Sequence, residues 1–139
     1  MSLENNKAVA RQFYRILETG DISMADEIVA ADYVNHNAIP GQKAGLEGYK
    51  DVVRSLRTSL PDIRYTIEDQ VAEGDKVVTR YTAKGTHQGE FLGVAATGKP
   101  ITMTALVLQR VVDGKIQESW LELDMLSVLR QMGEIPSPG

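Results

Sequence analysis

The spacing of apolar side chains along the chain changes from a helical to a strand period near Pro61. Before that residue, apolar positions recur every three or four residues, which is typical of amphipathic helices. This spacing predicts three helices, over residues 5–18, 24–31 and 46–60. Gly20 is expected to end the first helix and Ser23 to cap the second, whereas Pro61 bars continuation of the third. The polar stretch 33–41 predicts a loop or a short irregular strand.

After Pro61, apolar and polar residues alternate, which predicts β-strands. Four strands are expected in meander order, over 63–71, over 77–83 and in the two arms of a hairpin over 101–123. A glycine-rich loop over 88–100 precedes that hairpin. Asp124 then has the position of an N-cap for a last helix over 125–132.

The turn of the hairpin carries Asp113-Gly114, which is a strong short-range hairpin signal because glycine accepts a positive φ. A two-residue loop would pair Val112 with Lys115. A three-residue loop with a bulge would pair Val111 with Lys115. The three-residue loop is the preferred prediction, since it gathers charged side chains around Trp120 on one face.

That register assigns each hairpin residue to a face of the sheet. One face carries Met103, Ala105, Val107, Gln109, Gln117, Ser119, Leu121 and Leu123. The other carries Thr104, Leu106, Leu108, Arg110, Ile116, Glu118, Trp120 and Glu122. The first face is expected to line a pocket. Trp120, among apolar residues and rim charges, indicates either a subunit interface or a side chain half-buried under its own chain.

The order of the elements predicts an α+β fold. Three N-terminal helices would pack on a strongly curved, mainly antiparallel sheet, with a short C-terminal helix after it. Residues 1–139 have the length of a single domain. A curved sheet with helices over its concave side encloses a cone-shaped cavity, which is the expected ligand site.

Composition excludes several classes of function. The net charge is −4 and there is no basic block, which argues against nucleic acid and anionic membrane as partners. The chain has no cysteine, so disulfides, thiolate nucleophiles and cysteine-ligated metals are excluded. Residues 1–20 lack the apolar core of a signal peptide, and no run has the length of a membrane span. A cytoplasmic protein is therefore the expectation.

Short motifs in a conserved order carry a family resemblance. They are ADYVNH at 31–36, LPD at 60–62, EGDKVV at 73–78, GTHQG at 85–89, TGK at 97–99, RVVDGKI at 110–116, ESW at 118–120 and QMG at 131–133. Together they resemble the SnoaL-like branch of the NTF2-like superfamily over nearly the whole chain. The resemblance implies the cone-shaped NTF2-like fold and a relation to cofactor-independent polyketide cyclases, which close a ring by intramolecular aldol chemistry with an aspartate as acid and base.

The same resemblance assigns pocket positions, several of which are apolar in this chain. The catalytic aspartate of the cyclases aligns with Leu121, and their polar glutamine and histidine align with Ala105, Val107 and Ser119. Asn35 matches a pocket asparagine of the family. The ligand-binding residues expected from the resemblance and the predicted faces are Tyr33, Asn35, Ala105, Val107, Ser119 and Leu121.

Two titratable residues are candidates for proton transfer in place of the missing aspartate. His36 is expected at the pocket rim, and an imidazole titrates near neutral pH unaided. A histidine bonded to loop backbone is the equally weighted alternative. Asp124 is the nearest carboxylate, although an aspartate before a helix is far more often a cap. His87 is expected to be structural. No metal site is expected, because the two histidines have no ligand-like spacing. No cofactor is expected, because the resemblance is to cofactor-independent cyclases.

Three hypotheses for function remain open. The first is a cofactor-free polyketide or ester cyclase, or an isomerase, acting on a small apolar carbonyl compound. The second is a non-catalytic module that binds an apolar ligand in the same pocket. The third is an oligomeric protein whose sheet face is its purpose, and a homodimer through Leu106, Leu108 and Trp120 is expected.

Overall fold

The computed structural model describes residues 2–37 and 42–134. Its α-helices are α1 (Leu3–Thr19), α2 (Ala25–Ile28), α3 (Gly45–Ser59) and α4 (Met125–Gln131). Its β-strands are β1 (Val29–Asn35), β2 (Arg64–Glu73), β3 (Lys76–Thr86), β4 (Pro100–Val112) and β5 (Lys115–Leu123). The predicted α+β class is confirmed. Residues 38–41 of the predicted loop lie outside the described residues.

The five strands form one mixed sheet in the order β1-β5-β4-β3-β2. Strand β1 runs parallel to β5, and the other neighbours are antiparallel. The predicted meander of four strands was therefore one strand short, and the short irregular strand left open for 33–41 overlaps β1 only at residues 33–35. Sequence reasoning assigned Val29 to the second helix because it continues the apolar spacing of Ala25 and Ile28. In the structure the helix ends at Ile28, and the following β-branched and aromatic residues pair with the edge of β5.

The start of the second helix also differs from the prediction. Asp21, not Ser23, is the capping residue: Asp21 Oδ1 accepts the backbone N–H of Ser23 at 3.1 Å and begins a 3₁₀ turn at Ile22–Met24. The predicted ends of the longer helices are confirmed. Gly20 follows α1 in the left-handed region at φ 78°, and α3 stops before Pro61.

The β4–β5 hairpin has a two-residue turn, so the preferred three-residue loop was wrong. Val112 pairs with Lys115, and Asp113 and Gly114 both have positive φ, 50° and 78°. Gln117 is an extra residue in β5, which shifts the register between the two arms. Beyond this bulge, pairs such as Leu108–Trp120 and Val107–Leu121 lie on the predicted faces.

The bulge changes the faces only near the turn. Ile116 pairs with Val111 and is fully buried, although it was predicted on the outer face. Gln117 was predicted inward, but its side chain donates to Asp32 Oδ1 at 2.7 Å. The inserted residue therefore puts the rest of β5 on the same faces of the sheet that the three-residue loop was expected to produce.

Helices α1 and α3 pack against the inner face of the sheet. Phe13 of α1 and Tyr49 of α3 stack with ring centroids 4.4 Å apart, and the Tyr49 hydroxyl donates to the Phe13 carbonyl at 2.6 Å. This buried hydrogen bond joins the two helices directly above the sheet. No helix in residues 2–37 and 42–134 is long and apolar enough to cross a membrane.

The outer face of the sheet carries an apolar row across four strands. Val71, Val78, Leu108 and Trp120 lie directly opposite one another in successive pairs. Leu106, in the next row, is 50% exposed, and Val71 is 65% exposed. Ion pairs flank the row, with Arg80 on Asp69 and Arg110 on Glu118.

Candidate functional site

A cavity of about 340 Å³ lies between helices α1 and α3 and the inner face of the sheet. Its aliphatic wall on the hairpin is formed by Met103, Val107, Leu121 and Leu123. The alternation of β4 and β5 places these four side chains on one face, because Val107 pairs with Leu121 while Met103 and Leu123 lie an even number of residues from them on the same strands. The wall is therefore apolar at Leu121, the residue that the resemblance aligns with the catalytic aspartate of the cyclases.

The remaining walls are largely aromatic, and all five tyrosines of the chain line the cavity. They are Tyr14 on α1, Tyr33 on β1, Tyr49 on α3, Tyr65 on β2 and Tyr81 on β3. Their rings contact one another: the Tyr14 centroid lies 5.7 Å from that of Tyr65 and 5.1 Å from that of Tyr81. Five different elements of the fold thus each contribute one tyrosine ring to the cavity.

Burial keeps these phenols protonated. It raises the pKa of Tyr33 and of Tyr81 to about 12, and it raises the pKa of Tyr49 and Tyr65 above the usual range. For Tyr14 burial raises the pKa most, and repulsion from the other four tyrosines adds to it. At neutral pH the cavity therefore presents neutral hydroxyls.

Polar groups on β1, β4 and β5 form a short hydrogen-bonded chain beside the cavity. Gln109 Nε2 donates to Ser119 Oγ at 3.0 Å, and Ser119 forms a side-chain hydrogen bond with Tyr33. Asn35 Oδ1 accepts the backbone N–H of Asn37 at 3.0 Å, and both asparagines line the cavity. This side of the cavity can orient an uncharged polar group.

Most of the residues expected to bind ligand lie in the cavity wall. Tyr33, Asn35, Val107, Ser119 and Leu121 all line it. Ala105 does not, although it is buried on the same face. Its methyl group lies between its pairing partners Tyr81 and Leu123, which are larger and cover it.

His36 lies elsewhere, on the outer side of the sheet. Its ring stacks on Trp120 with centroids 4.5 Å apart, and His36 Nε2 is 3.5 Å from Glu118 Oε2. Neither His36 nor Trp120 lines the cavity. Because His36 follows the β1 residue that faces inward, alternation turns it outward, and the expectation of proton transfer in the cavity has no geometric support.

Asp124 is the helix cap that its position indicated. Its Oδ1 accepts the backbone N–H of Ser127 at 3.1 Å at the start of α4. It is absent from the residues that line the cavity. The geometry therefore supports a structural role for Asp124 and does not support a role in proton transfer.

Sequence reasoning missed two groups of cavity residues. Four tyrosines, Tyr14, Tyr49, Tyr65 and Tyr81, were not predicted to line the cavity; the available signal was that Tyr65 and Tyr81 share the inward parity of their strands. Glu122 was assigned to the outer face, and its pairing with Leu106 agrees with that; it was not predicted to line the cavity, which it does at the end of β5.

The glycine-rich loop closes one side of the cavity. Phe91 and Val94 pair across a tight turn in which Leu92 and Gly93 have positive φ, 53° and 80°. This turn places Phe91 and Leu92 in the cavity wall. His87 anchors the loop: its Nδ1 is 2.9 Å from Thr97 Oγ1 and its Nε2 is 3.1 Å from the Val94 carbonyl. The fully buried His87 is therefore structural.

Gly89 brings the same loop against α3. Its backbone N–H donates to the Ser59 carbonyl at 3.3 Å, and a Cβ at this position would collide with the Thr58 carbonyl.

Within the described ranges, no three histidine or acidic side chains are grouped as metal ligands.

Comparisons with known proteins agree with this architecture. The family model for SnoaL-like polyketide cyclase matches residues 7–132. Aklanonic acid methyl ester cyclase DnrD of Streptomyces peucetius is 27% identical over 91% of this chain and 89% of its own. TsrD of Streptomyces laurentii has a TM-score of 0.90 at 27% identity, covering 97% of this chain and 99% of its own.

IdmH of Streptomyces antibioticus is 36% identical, with a TM-score of 0.78 over 92% of this chain and 98% of its own. The family model and this relative each cover far more than half of the chain. The shared segment includes the helices, the curved sheet and the cavity between them. The chain therefore belongs to the SnoaL-like polyketide cyclase family.

Proposed function

We propose that the chain holds an uncharged, largely apolar polyketide-type carbonyl compound in this cavity and cyclises or isomerises it without a cofactor. The observation that carries the proposal is the cavity itself: about 340 Å³, an aliphatic wall, five neutral tyrosines and no lysine or arginine among the described lining residues. Such a site favours burial of an uncharged ligand and penalises an ionised one.

The names of the relatives support the same class of substrate. DnrD acts, by its name, on the methyl ester of a polyketide acid. A methyl ester masks the carboxylate charge, and an uncharged ester suits an apolar cavity without a lysine or arginine to pair with an anion.

Glu122 is our proposed base for proton transfer. It is the only carboxylate among the described residues that line the cavity, and it follows Leu121, which the family resemblance aligns with the catalytic aspartate. Its pairing with Leu106 starts its exposed side chain on the outer face, so the proposal requires the carboxylate to turn into the mouth of the cavity at the end of β5. In an aldol closure, Glu122 would take a proton from the carbon beside one carbonyl. That carbon would then attack a second carbonyl of the same molecule, and the resulting alkoxide would recover the proton.

The second candidate is a non-catalytic binding module. It is favoured by one observation: among the described residues neither His36 nor Asp124 lines the cavity, and Leu121, which the resemblance aligns with the catalytic aspartate, is apolar. The same apolar walls would then bind the ligand without catalysing a reaction.

Turnover by a Glu122→Gln variant separates these candidates. The purified chain is incubated with methyl esters of aromatic polyketide acids, and ring closure is followed as a chromatographic change at constant mass. Glu118→Gln is the matched control, because Glu118 is on the same strand but accepts a hydrogen bond from Arg110 and does not line the cavity. The proposal expects kcat to fall by about 10²–10⁴ in Glu122→Gln alone.

The opposite outcomes are equally informative. Full turnover in Glu122→Gln would refute the assignment of the base. Ligand binding with no turnover in the wild-type chain would favour the binding module over the cyclase.

We also propose that the outer face pairs two copies of the chain. The apolar row that ends at Leu108 and Trp120, with the exposed Leu106 beside it, presents large side chains between two flanking ion pairs. Apolar centres with charged rims are typical of homodimer interfaces.

A further inference from the structure

Among the described residues, Tyr14 has the only tyrosine hydroxyl that is buried and has no hydrogen-bond partner. The side chain is 2% exposed, and it belongs to the cavity wall. Buried hydroxyls are normally bonded, because removing a donor from water without replacing its hydrogen bond costs free energy. An unpaired donor at a ligand site is therefore evidence for an acceptor that the ligand supplies.

The neighbouring tyrosines show that the fold can satisfy a phenol here when it needs to. The Tyr49 hydroxyl donates to the Phe13 carbonyl at 2.6 Å, and Tyr33 forms a side-chain hydrogen bond with Ser119. Tyr14 lies on the same helix as Phe13, one residue further on, with its ring against Tyr65 and Tyr81. Its hydroxyl is thus held in place by packing while its hydrogen bond is left open.

The surroundings determine which acceptor suits this donor. No lysine or arginine is present among the described lining residues to balance an anion, and the walls beside Tyr14 are aromatic. An ionised carboxylate would enter such a site at a large cost in desolvation. A ketone or ester oxygen accepts one hydrogen bond and carries no charge.

We propose that the Tyr14 hydroxyl donates a hydrogen bond to an uncharged carbonyl oxygen of the bound ligand, so that Tyr14 selects carbonyl compounds over hydrocarbons of the same shape. The inference rests on the proposed function, because it requires a ligand in the cavity. In an aldol closure the same hydrogen bond strengthens as negative charge grows on that oxygen. The raised pKa of Tyr14 agrees with a phenol that stays protonated and donates.

A pair of matched compounds tests the inference. 2-Acetylnaphthalene carries the carbonyl, and 2-isopropenylnaphthalene replaces its oxygen by a CH₂ group of similar shape. Dissociation constants for both are measured by calorimetry on the wild-type chain, on Tyr14→Phe and on the control Tyr49→Phe. The control removes a hydroxyl that already has a protein partner.

The wild-type chain is expected to prefer the ketone, and Tyr14→Phe to lose about fivefold in ketone affinity while its hydrocarbon affinity is unchanged. Tyr49→Phe should leave the ratio of the two affinities as it is in the wild type. A second readout is the infrared stretch of the bound ¹³C-labelled carbonyl. It should move to higher frequency in Tyr14→Phe and stay in place in Tyr49→Phe, which a merely structural role for Tyr14 would not produce.

An unchanged affinity ratio together with an unchanged carbonyl stretch in Tyr14→Phe would overturn the inference and leave the proposed function standing. Failure of both compounds to bind the wild-type chain would instead contradict the proposed function, and the inference with it. Because phenylalanine keeps the ring that packs against Tyr65 and Tyr81, the variant is expected to fold, and its melting curve checks this.

Discussion

His36 and Trp120 stack face to face on the outer side of the sheet, with ring planes 6° apart and centroids separated by 4.5 Å. The stack covers one end of the apolar row that crosses β2 to β5. His36 is therefore remote from the chemistry of the cavity, despite an imidazole being the usual choice for a base at neutral pH.

We expect His36→Ala to leave cavity binding unchanged. The affinity for 2-acetylnaphthalene should stay within about twofold of the wild type, since no His36 atom lines the cavity. The emission of Trp120, the only tryptophan of the chain, should change because its stacking partner is gone. Fluorescence spectra and calorimetry check both results. A large loss of cavity affinity would restore His36 as a functional residue of the site.

Opposite effects on stability are predicted for two tyrosine substitutions on facing helices. Tyr14→Phe removes a buried hydroxyl that has no partner, so the free energy of unfolding should stay the same or rise by up to about 1 kcal/mol. Tyr49→Phe removes a hydroxyl that donates to the Phe13 carbonyl, so the free energy of unfolding should fall by roughly 1 kcal/mol. Urea titrations of the ligand-free chain measure both. A clear loss of stability in Tyr14→Phe would mean that its hydroxyl has a partner in solution.

The alkaline titration of the folded chain should lack the normal tyrosine step. All five tyrosines have a pKa raised above the usual 10.0, first of all by burial. Because the folded pKa is the higher one, the neutral phenols stabilise the fold fully below pH 10.0. That contribution is lost as pH rises through the folded values, about 12 for Tyr33 and Tyr81.

Near-ultraviolet absorbance of phenolate measures this directly. Little signal is expected at pH 10.0, and the later rise should coincide with loss of the circular dichroism of the fold. An ordinary titration at pH 10.0 in a chain that stays folded would show that the tyrosines are open to water.

The proposed dimer predicts different effects for two equally exposed leucines. Leu106 is 50% exposed on the outer face and Leu126 is 47% exposed on α4. Leu106→Glu should convert a dimer to a monomer at micromolar concentration, because it introduces a charge into an interface expected to bury more than roughly 1,000 Å². Leu126→Glu should not. Sedimentation velocity distinguishes the species, and a wild-type monomer would contradict the proposal.

The sequence predicted the inner wall well because strand alternation and the hairpin signal are both local. Val107 and Leu121 follow from a period of two once the arms are paired. The same logic failed at Ile116, since an inserted residue such as Gln117 leaves no mark in the composition of the strand. The apolar wall was therefore predicted on the correct face, but from a three-residue loop, whereas in the structure the bulge at Gln117 sets that face.

Features that depend on non-local pairing were out of reach. Strand β1 exists because β5 offers an edge to pair with, which nothing around Val29 indicates. That missed strand also hid the outward direction of His36. Likewise, the open hydrogen bond of Tyr14 is visible only when the positions of Tyr65 and Tyr81 around it are known.

Whether the cavity between α1, α3 and the sheet holds an uncharged carbonyl compound can be seen in a crystal structure of the chain soaked with 2-acetylnaphthalene. We expect ligand density enclosed by Tyr14, Val107 and Leu121, with the carbonyl oxygen within hydrogen-bonding distance of Tyr14 Oη. Density on the outer face near Trp120, with the cavity empty at a concentration that saturates binding in solution, would contradict it.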